Sequence, residues 1–352
     1  MTYLRKFKIF LAVAILGLAV SSCLDDQPLY DKDSTHNVIE FYTVDSYAST
    51  EGAELARYSV AFQATPEETL NVTLSYSGPN TAPEDIQVTI ATDTATVSAY
   101  NQSLIDAERQ KAIDAGKDPN KIDTASLGLY DKLPESLYSI PSATVTIPKG
   151  ERKATYSVKL KVDQFDFHAN YAIAFTIKST STGVISGNYG TVLYAVSPKN
   201  SLDGVYTLPK LDIDSMFYDR NLSGATADYP RTIQLITKSL NTVAYFDPAL
   251  NSGTYGYSFV NADQGTYYGS WAPLFFFEGD KITKVENYYG QNSGASKRSG
   301  RINPRGPNKI SKDDKGNTVI EVWYYMVQGS NAATDPVRSE FREKFVYTAP
   351  RP

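Results

Sequence analysis

The residues best suited to chemistry in this 352-residue chain are aromatic. Their densest group is Tyr267-Tyr268-Gly269-Ser270-Trp271, flanked by Gly265 and Pro273, with Tyr288-Tyr289-Gly290 a short distance on. The C–H face of a sugar stacks on such rings while its hydroxyls need polar partners, and Tyr and Trp join an apolar body to a polar tip. Downstream, Arg298, Arg301 and Arg305 carry planar, forked donors that suit a carboxylated or sulfated sugar. They belong to a run from Lys281 to Lys309 in which seven basic residues stand against Glu286 alone. Its stretch from Gly290 to Asn308 is rich in Gly, Ser, Asn and Pro, and long loops on β scaffolds are where binding residues concentrate. Tyr267, Tyr268, Trp271, Tyr288, Tyr289, Arg298, Arg301 and Arg305 therefore form a candidate platform for a glycan, an acidic one included. Plain structural readings compete: Tyr suits any half-buried sheet, and a basic run is also an ordinary solvated loop. Trp323 alternates within a strand pattern and reads as core.

Other chemistries find less support. With two histidines and one cysteine in the chain, zinc sites of the Cys/His type are excluded, and no cofactor is called for. A Ser-His-Asp or Cys-His nucleophile would have to recruit His36, in a polar N-terminal stretch, or His168, in a turn between two strand patterns. A glycosidase using two carboxylates stays open, because acids are plentiful and their spacing in space is invisible in sequence. The segment Asp313-Asp314-Lys315-Gly316-Asn317 lacks the alternating oxygen ligands and terminal Glu of a calcium loop and reads as a turn. The net charge of −5 makes the chain a poor general binder of nucleic acid.

Position is legible at the N-terminus. Arg5, Lys6 and Lys8 precede an apolar run from Ile9 to Val20, 12 residues long, against the roughly 20 that span a bilayer as a helix. Small residues follow in Val20-Ser21-Ser22-Cys23, which makes residues 1–22 a secretory signal with a lipobox at its end. Cys23 is then the first mature residue, acylated and held to a membrane. As the one cysteine it leaves no disulfide to form, despite an oxidising compartment. Residues 23–37 are a polar, acidic tether.

From Val38 onward the pattern has period two. Tyr156, Val158, Leu160 and Val162 alternate with Ser157, Lys159 and Lys161, and Tyr171, Ile173, Phe175 and Ile177 follow the same rule. Such alternation means one buried and one wet face, as in antiparallel sandwiches. The expected fold is all-β in two domains. Residues 38–198 form an immunoglobulin-like sandwich, with a helical insertion at about 99–128. Residues 201–352 form an antiparallel sandwich or barrel, a lipocalin-like shape included. In the insertion, Leu104, Ile105, Ala112 and Ile113 are spaced to share a buried stripe. Gly279-Asp280 marks a two-residue hairpin. Residues 23–199 carry a net charge of −9 and residues 200–352 one of +1, so the halves differ electrostatically as well.

Several motifs in order carry a resemblance: Ala99-Tyr100-Asn101, Tyr130-x-x-Leu133-Pro134, Tyr138-x-x-Pro141, and Val145 through Gly150. Residues 38–198 resemble the N-terminal β-sandwich domain, of unknown function, found in surface lipoproteins of Bacteroidota. The second half, opening on Asp203-Gly204-Val205-Tyr206 and ending in a Phe345-Val346-Tyr347-Thr348 strand, is similar to the domains that follow it. The resemblance implies a lipoprotein on the outer face of the outer membrane, with Asp25 and Asp26 as export signal. It further implies polysaccharide uptake, with glycan and outer-membrane import proteins as partners. A non-catalytic glycan binder is the leading expectation, an adhesin or fimbria-like subunit the alternative, and a carboxylate-dependent glycoside hydrolase the third reading.

Overall fold

The computed structural model describes residues 36–42, 55–213, 216–250, 253–329, 331 and 334–351. The signal segment, Cys23 and nearly all of the tether lie outside the described residues.

The first domain is two facing sheets. One has the order Val184–Ile185, Val38–Tyr42, Glu68–Ser77, Lys153–Leu160, Tyr138–Ser139. The other runs Ala56–Gln63, Thr191–Lys199, Tyr171–Thr180, Ile86–Thr92, Thr144–Ile147. The N-terminal strand is divided between them: Val38–Tyr42 pairs antiparallel with Glu68–Ser77, whereas Ala56–Gln63 runs parallel to Thr191–Lys199. This is the immunoglobulin-like sandwich that the alternation predicts. Val72, Leu74, Val158, Leu160, Phe175 and Val192 fill the space between the sheets, fully buried.

Helix α1, Thr94–Asp114, begins earlier than the sequence pattern places it, because Asp93 caps it by accepting from the N–H groups of Ala95 and Thr96. Only its first half docks. Val97 and Tyr100 pack over Ala172, Ala174 and Leu193 on the outer face of the sheet, where the small alanines admit a helix backbone. The expected apolar stripe is realised only in part: Leu104, Ile105 and Ala112 are half-buried and Ile113 is exposed. The motif residues act as a clasp for the insertion. Asn101 Nδ2 donates to the Tyr130 carbonyl at 2.7 Å, the Tyr130 N–H donates to Asn101 Oδ1 at 2.8 Å, and Tyr100 stacks on Tyr130.

The second domain is a closed barrel. Eight strands pair antiparallel in chain order: Gly204–Leu208, Arg231–Ser239, Thr242–Phe246, Pro273–Glu278, Lys281–Asn287, Lys309–Lys312, Thr318–Gln328 and Val337–Ala349. The last pairs back with the first, which closes the ring and leaves no open edge among these eight. Gly279-Asp280 makes the expected tight turn, with Glu278 opposite Lys281. Two glycines are dictated by close approach. A Cβ on Gly204 would sit 2.5 Å from the Tyr347 ring, and one on Gly300 would sit 2.6 Å from the Glu286 backbone.

The barrel is filled with rings instead of holding a calyx. Tyr206, Tyr245, Tyr257, Trp271, Phe275, Tyr324, Phe341 and Phe345 are fully buried, and Tyr324 stacks on Phe341 with centroids 4.7 Å apart. Among the described residues, rings therefore take up the space that a lipocalin-like calyx would occupy. The junction between domains is polar: Asn200 Nδ2 donates to the carbonyls of Ser239 and Thr242. Asp203 accepts from Thr237 and from Arg351, which ties the first barrel strand to the last.

Candidate functional site: a tyrosine face beside a cleft

An element that the sequence pattern did not announce positions the site. Between the third and fourth barrel strands, Tyr257–Asn261 and Gln264–Tyr268 form a hairpin whose turn holds Ala262 and Asp263 at positive φ. Such turns usually advertise themselves with Gly, and Ala-Asp does not. Successive residues on a strand point to opposite faces, so Tyr267 and Tyr268 separate. Tyr268 turns inward, stacked on Phe259 and tilted against Phe217, with its hydroxyl donating to Asp219. Tyr267 turns out and is 50% exposed.

Trp271 is a correction. Expected as a ligand contact, it is fully buried and stacks on Phe341 inside the barrel. It stands where the chain leaves the hairpin to enter the strand Pro273–Glu278, and the largest side chain fills the barrel end. Tyr268 is corrected likewise, since neither ring offers surface to a ligand. Trp323, expected in the core, faces outward from its strand, half-buried under the Arg342 guanidinium at 4.8 Å from the ring. Its neighbours Val322 and Tyr324 take the inward positions.

The remaining tyrosines do come together. Tyr288 stacks on Tyr255 at 4.0 Å, and Lys238 Nζ lies over both rings while donating to the Tyr255 hydroxyl at 2.8 Å. The Tyr289 hydroxyl donates to the Tyr255 carbonyl at 2.7 Å. The Tyr267 ring leans on Gly256, where a Cβ would meet it at 3.2 Å. Partial burial raises the pKa of Tyr289, and the hydroxyls of Tyr288, Tyr255 and Tyr267 raise it further. Tyr267 and Tyr289 thus flank one segment with their rings in solvent, 50% and 37% exposed, on a base of stacked aromatics.

The arginines do not join this face. Arg298 reaches inward, donating to the Gly269 carbonyl and lying over Tyr268, and burial followed by the nearby Arg338 charge lowers its pKa. Arg301 lies over Tyr325 on the outer barrel wall, and Arg305 bonds the Tyr325 hydroxyl.

Beside Tyr267 lies an open cleft of about 410 Å³, lined by Asp228, Arg231, Asp247, Ser258, Thr266 and other residues of the hairpin and its neighbours. Volumes of this order hold a small ligand. A buried network fixes its floor. Arg231 donates to the Ser258 carbonyl, to the Tyr245 hydroxyl and to Asp247, and its guanidinium lies 4.5 Å over the Tyr257 ring. Burial opposes its charge, but the surrounding hydroxyls and Glu343 hold the pKa well up. Deeper in, Glu343 accepts from the hydroxyls of Tyr229, Tyr257 and Tyr324 at 2.6–2.8 Å. Burial, and then the Glu343 charge, push those three phenols upward, so they stay neutral donors. A second cleft of about 380 Å³, lined by Lys210, Ile213, Met216 and Tyr229 among others, adjoins the first across Asp228.

Comparison with known proteins agrees with this architecture. Residues 40–184 match the model of a family described as "-like, N-terminal domain". No curated protein matches the chain. Among solved structures, a Bacteroides ovatus protein of unknown function is 14% identical, covers 89% of this chain and 95% of its own, and has a TM-score of 0.53. A second Bacteroides ovatus protein of unknown function is 15% identical over 88% and 94% of the two chains, with a TM-score of 0.45. A protein described as an auxiliary nutrient binding protein, from Bacteroides thetaiotaomicron, is 13% identical over 87% and 94%, with a TM-score of 0.43. Residues 40–184 of the sandwich are thus similar to this N-terminal-domain family, and the fold of a sandwich set before a second β domain is shared with the first of these Bacteroides ovatus proteins.

Proposed function

We propose that the chain is a non-catalytic, lipid-anchored surface protein that captures glycan on the tyrosine face of its barrel, within a polysaccharide-uptake system. One observation carries the reading: Tyr267 and Tyr289 hold their rings in solvent beside a polar cleft, on a rigid aromatic base. Rings that are exposed and already ordered lose little freedom when a sugar stacks on them. The lipobox at Cys23 supplies the address, and the motif order in residues 99–150 supports a place among Bacteroidota outer-membrane lipoproteins that work beside import proteins. Of the acids at or behind the cleft only Asp228 is exposed among the described residues, which supports binding over hydrolysis by a pair of carboxylates. Asp247 is held by Arg231, Ser258 and the Ala249 N–H, and Glu343 is sealed behind three tyrosines. Calorimetric titration with neutral polysaccharide fragments tests the site. Tyr267→Ala lowers affinity at least tenfold with the fold intact, whereas unchanged affinity removes the tyrosine face from the account.

A further inference from the structure

The charges around the cleft fix the class of sugar it admits. Among the described residues that line it, the one basic side chain is Arg231, which is nine-tenths buried, with its donors going to a carbonyl, a phenol and Asp247. Asp228 stands exposed at the rim, between the two clefts, and Lys210 belongs to the far side of it. Arg298, which the sequence offers as an anion reader, is turned into the barrel, and Arg301 and Arg305 are engaged with Tyr325 on the outer wall. What the cleft presents beside Tyr267 is therefore chiefly the exposed Asp228 carboxylate and the Thr266 hydroxyl, over a floor in which Asp247 is taken up by Arg231, Ser258 and the Ala249 N–H. A carboxylate accepts two hydroxyl protons at once, which suits a pyranose, and it repels a uronate or sulfate at the same distance.

We infer that the cleft beside Tyr267 takes an uncharged glycan and excludes uronic and sulfated ones. The inference rests on glycan capture at the tyrosine face and narrows it. An uncharged chain lays one sugar on Tyr267 and turns its hydroxyls toward Asp228 and the cleft floor. An anionic substituent there meets the Asp228 charge, and among the described residues that line this cleft the one cation, Arg231, is already committed to Asp247, a difference of at least tenfold in affinity at moderate salt.

Affinity gel electrophoresis of the mature chain tests this, with gels containing dextran, mannan, xyloglucan or galactomannan in one set and alginate, polygalacturonate or chondroitin sulfate in the other. At least one neutral gel retards the protein and the anionic gels do not. Asp228→Lys weakens the neutral retardation at least tenfold and leaves the melting temperature unchanged, because Asp228 is exposed. Retardation by an anionic gel that Tyr267→Ala abolishes overturns the inference and leaves glycan capture standing. Retardation by no gel overturns capture itself, and the inference falls with it.

Discussion

The two domains fill their interiors differently. Between the sheets of the sandwich the centre is mostly aliphatic, and the side-chain hydrogen bonds sit at its rim, such as Asn37 with Asn80 and Asp93 with Thr176. The barrel interior is dominated by rings, with Glu343, Asp219 and Arg231 sunk among them. An aliphatic core needs only shape, whereas buried polar groups need every partner in place. In the barrel that demand leads outward: Glu343 bonds Tyr257, Tyr257 lies under Arg231, and Arg231 and Asp247 line the cleft. The domain with the costlier interior is the one with a preorganised surface.

The comparison breaks most visibly if the buried ion pair is removed. Arg231→Ala strands Asp247 and the Tyr245 hydroxyl, a loss of about 3–5 kcal/mol, read as a lowered barrel transition in denaturant with the sandwich transition kept. A barrel transition shifted by less than about 1 kcal/mol would show that the network is ornament. Trp271→Ala empties a site under Phe341 and costs about 3–5 kcal/mol by cavity formation. Ile147→Val in the sandwich costs about 0.5–1.5 kcal/mol.

Acid separates the domains more gently. Burial alone would raise Asp219, but the Tyr268 hydroxyl, the Asn221 N–H and Arg338 outweigh it and lower its pKa. Asp93, at the start of α1, is lowered in the same way: burial raises it, and bonds from Thr176 and Thr96 outweigh the burial. A carboxyl lowered in the fold stabilises it above the unfolded value of about 3.9, and that stability fades as pH falls through the folded value. Thermal melts stepped down from pH 5 to pH 3 therefore lose stability in both domains. Asp219→Asn flattens the barrel's share and Asp93→Asn the sandwich's. Equal slopes in wild type and both variants would contradict the assignment. The smallest effect on stability belongs to the surface: Tyr267→Ala shifts melting by no more than about 0.5 kcal/mol, even as glycan affinity falls.

Much of the sandwich was legible because alternation in residues such as Tyr156 to Val162 maps directly onto one wet and one dry face. The second domain's β character was equally plain, but its closure into a barrel was not, since closure depends on the pairing of Val337–Ala349 with Gly204–Leu208 across the whole domain. The candidate site was half legible. Tyr267, Tyr288 and Tyr289 do gather, but a cluster read as one surface took in Tyr268 and Trp271, which face the interior. Period-two alternation could have separated Tyr267 from Tyr268 had the hairpin been recognised, and its Ala262-Asp263 turn hid it. Arg231, Asp228 and Tyr255 were missed because nothing in their local sequence marks them as part of a site.

Hydrogen–deuterium exchange on the mature chain, with and without a neutral polysaccharide fragment that binds it, tests the division of labour most directly. The account predicts protection on ligand binding across residues 255–268 and 288–290, with the sandwich unchanged. Protection confined to the sandwich, and none in the hairpin, would contradict it.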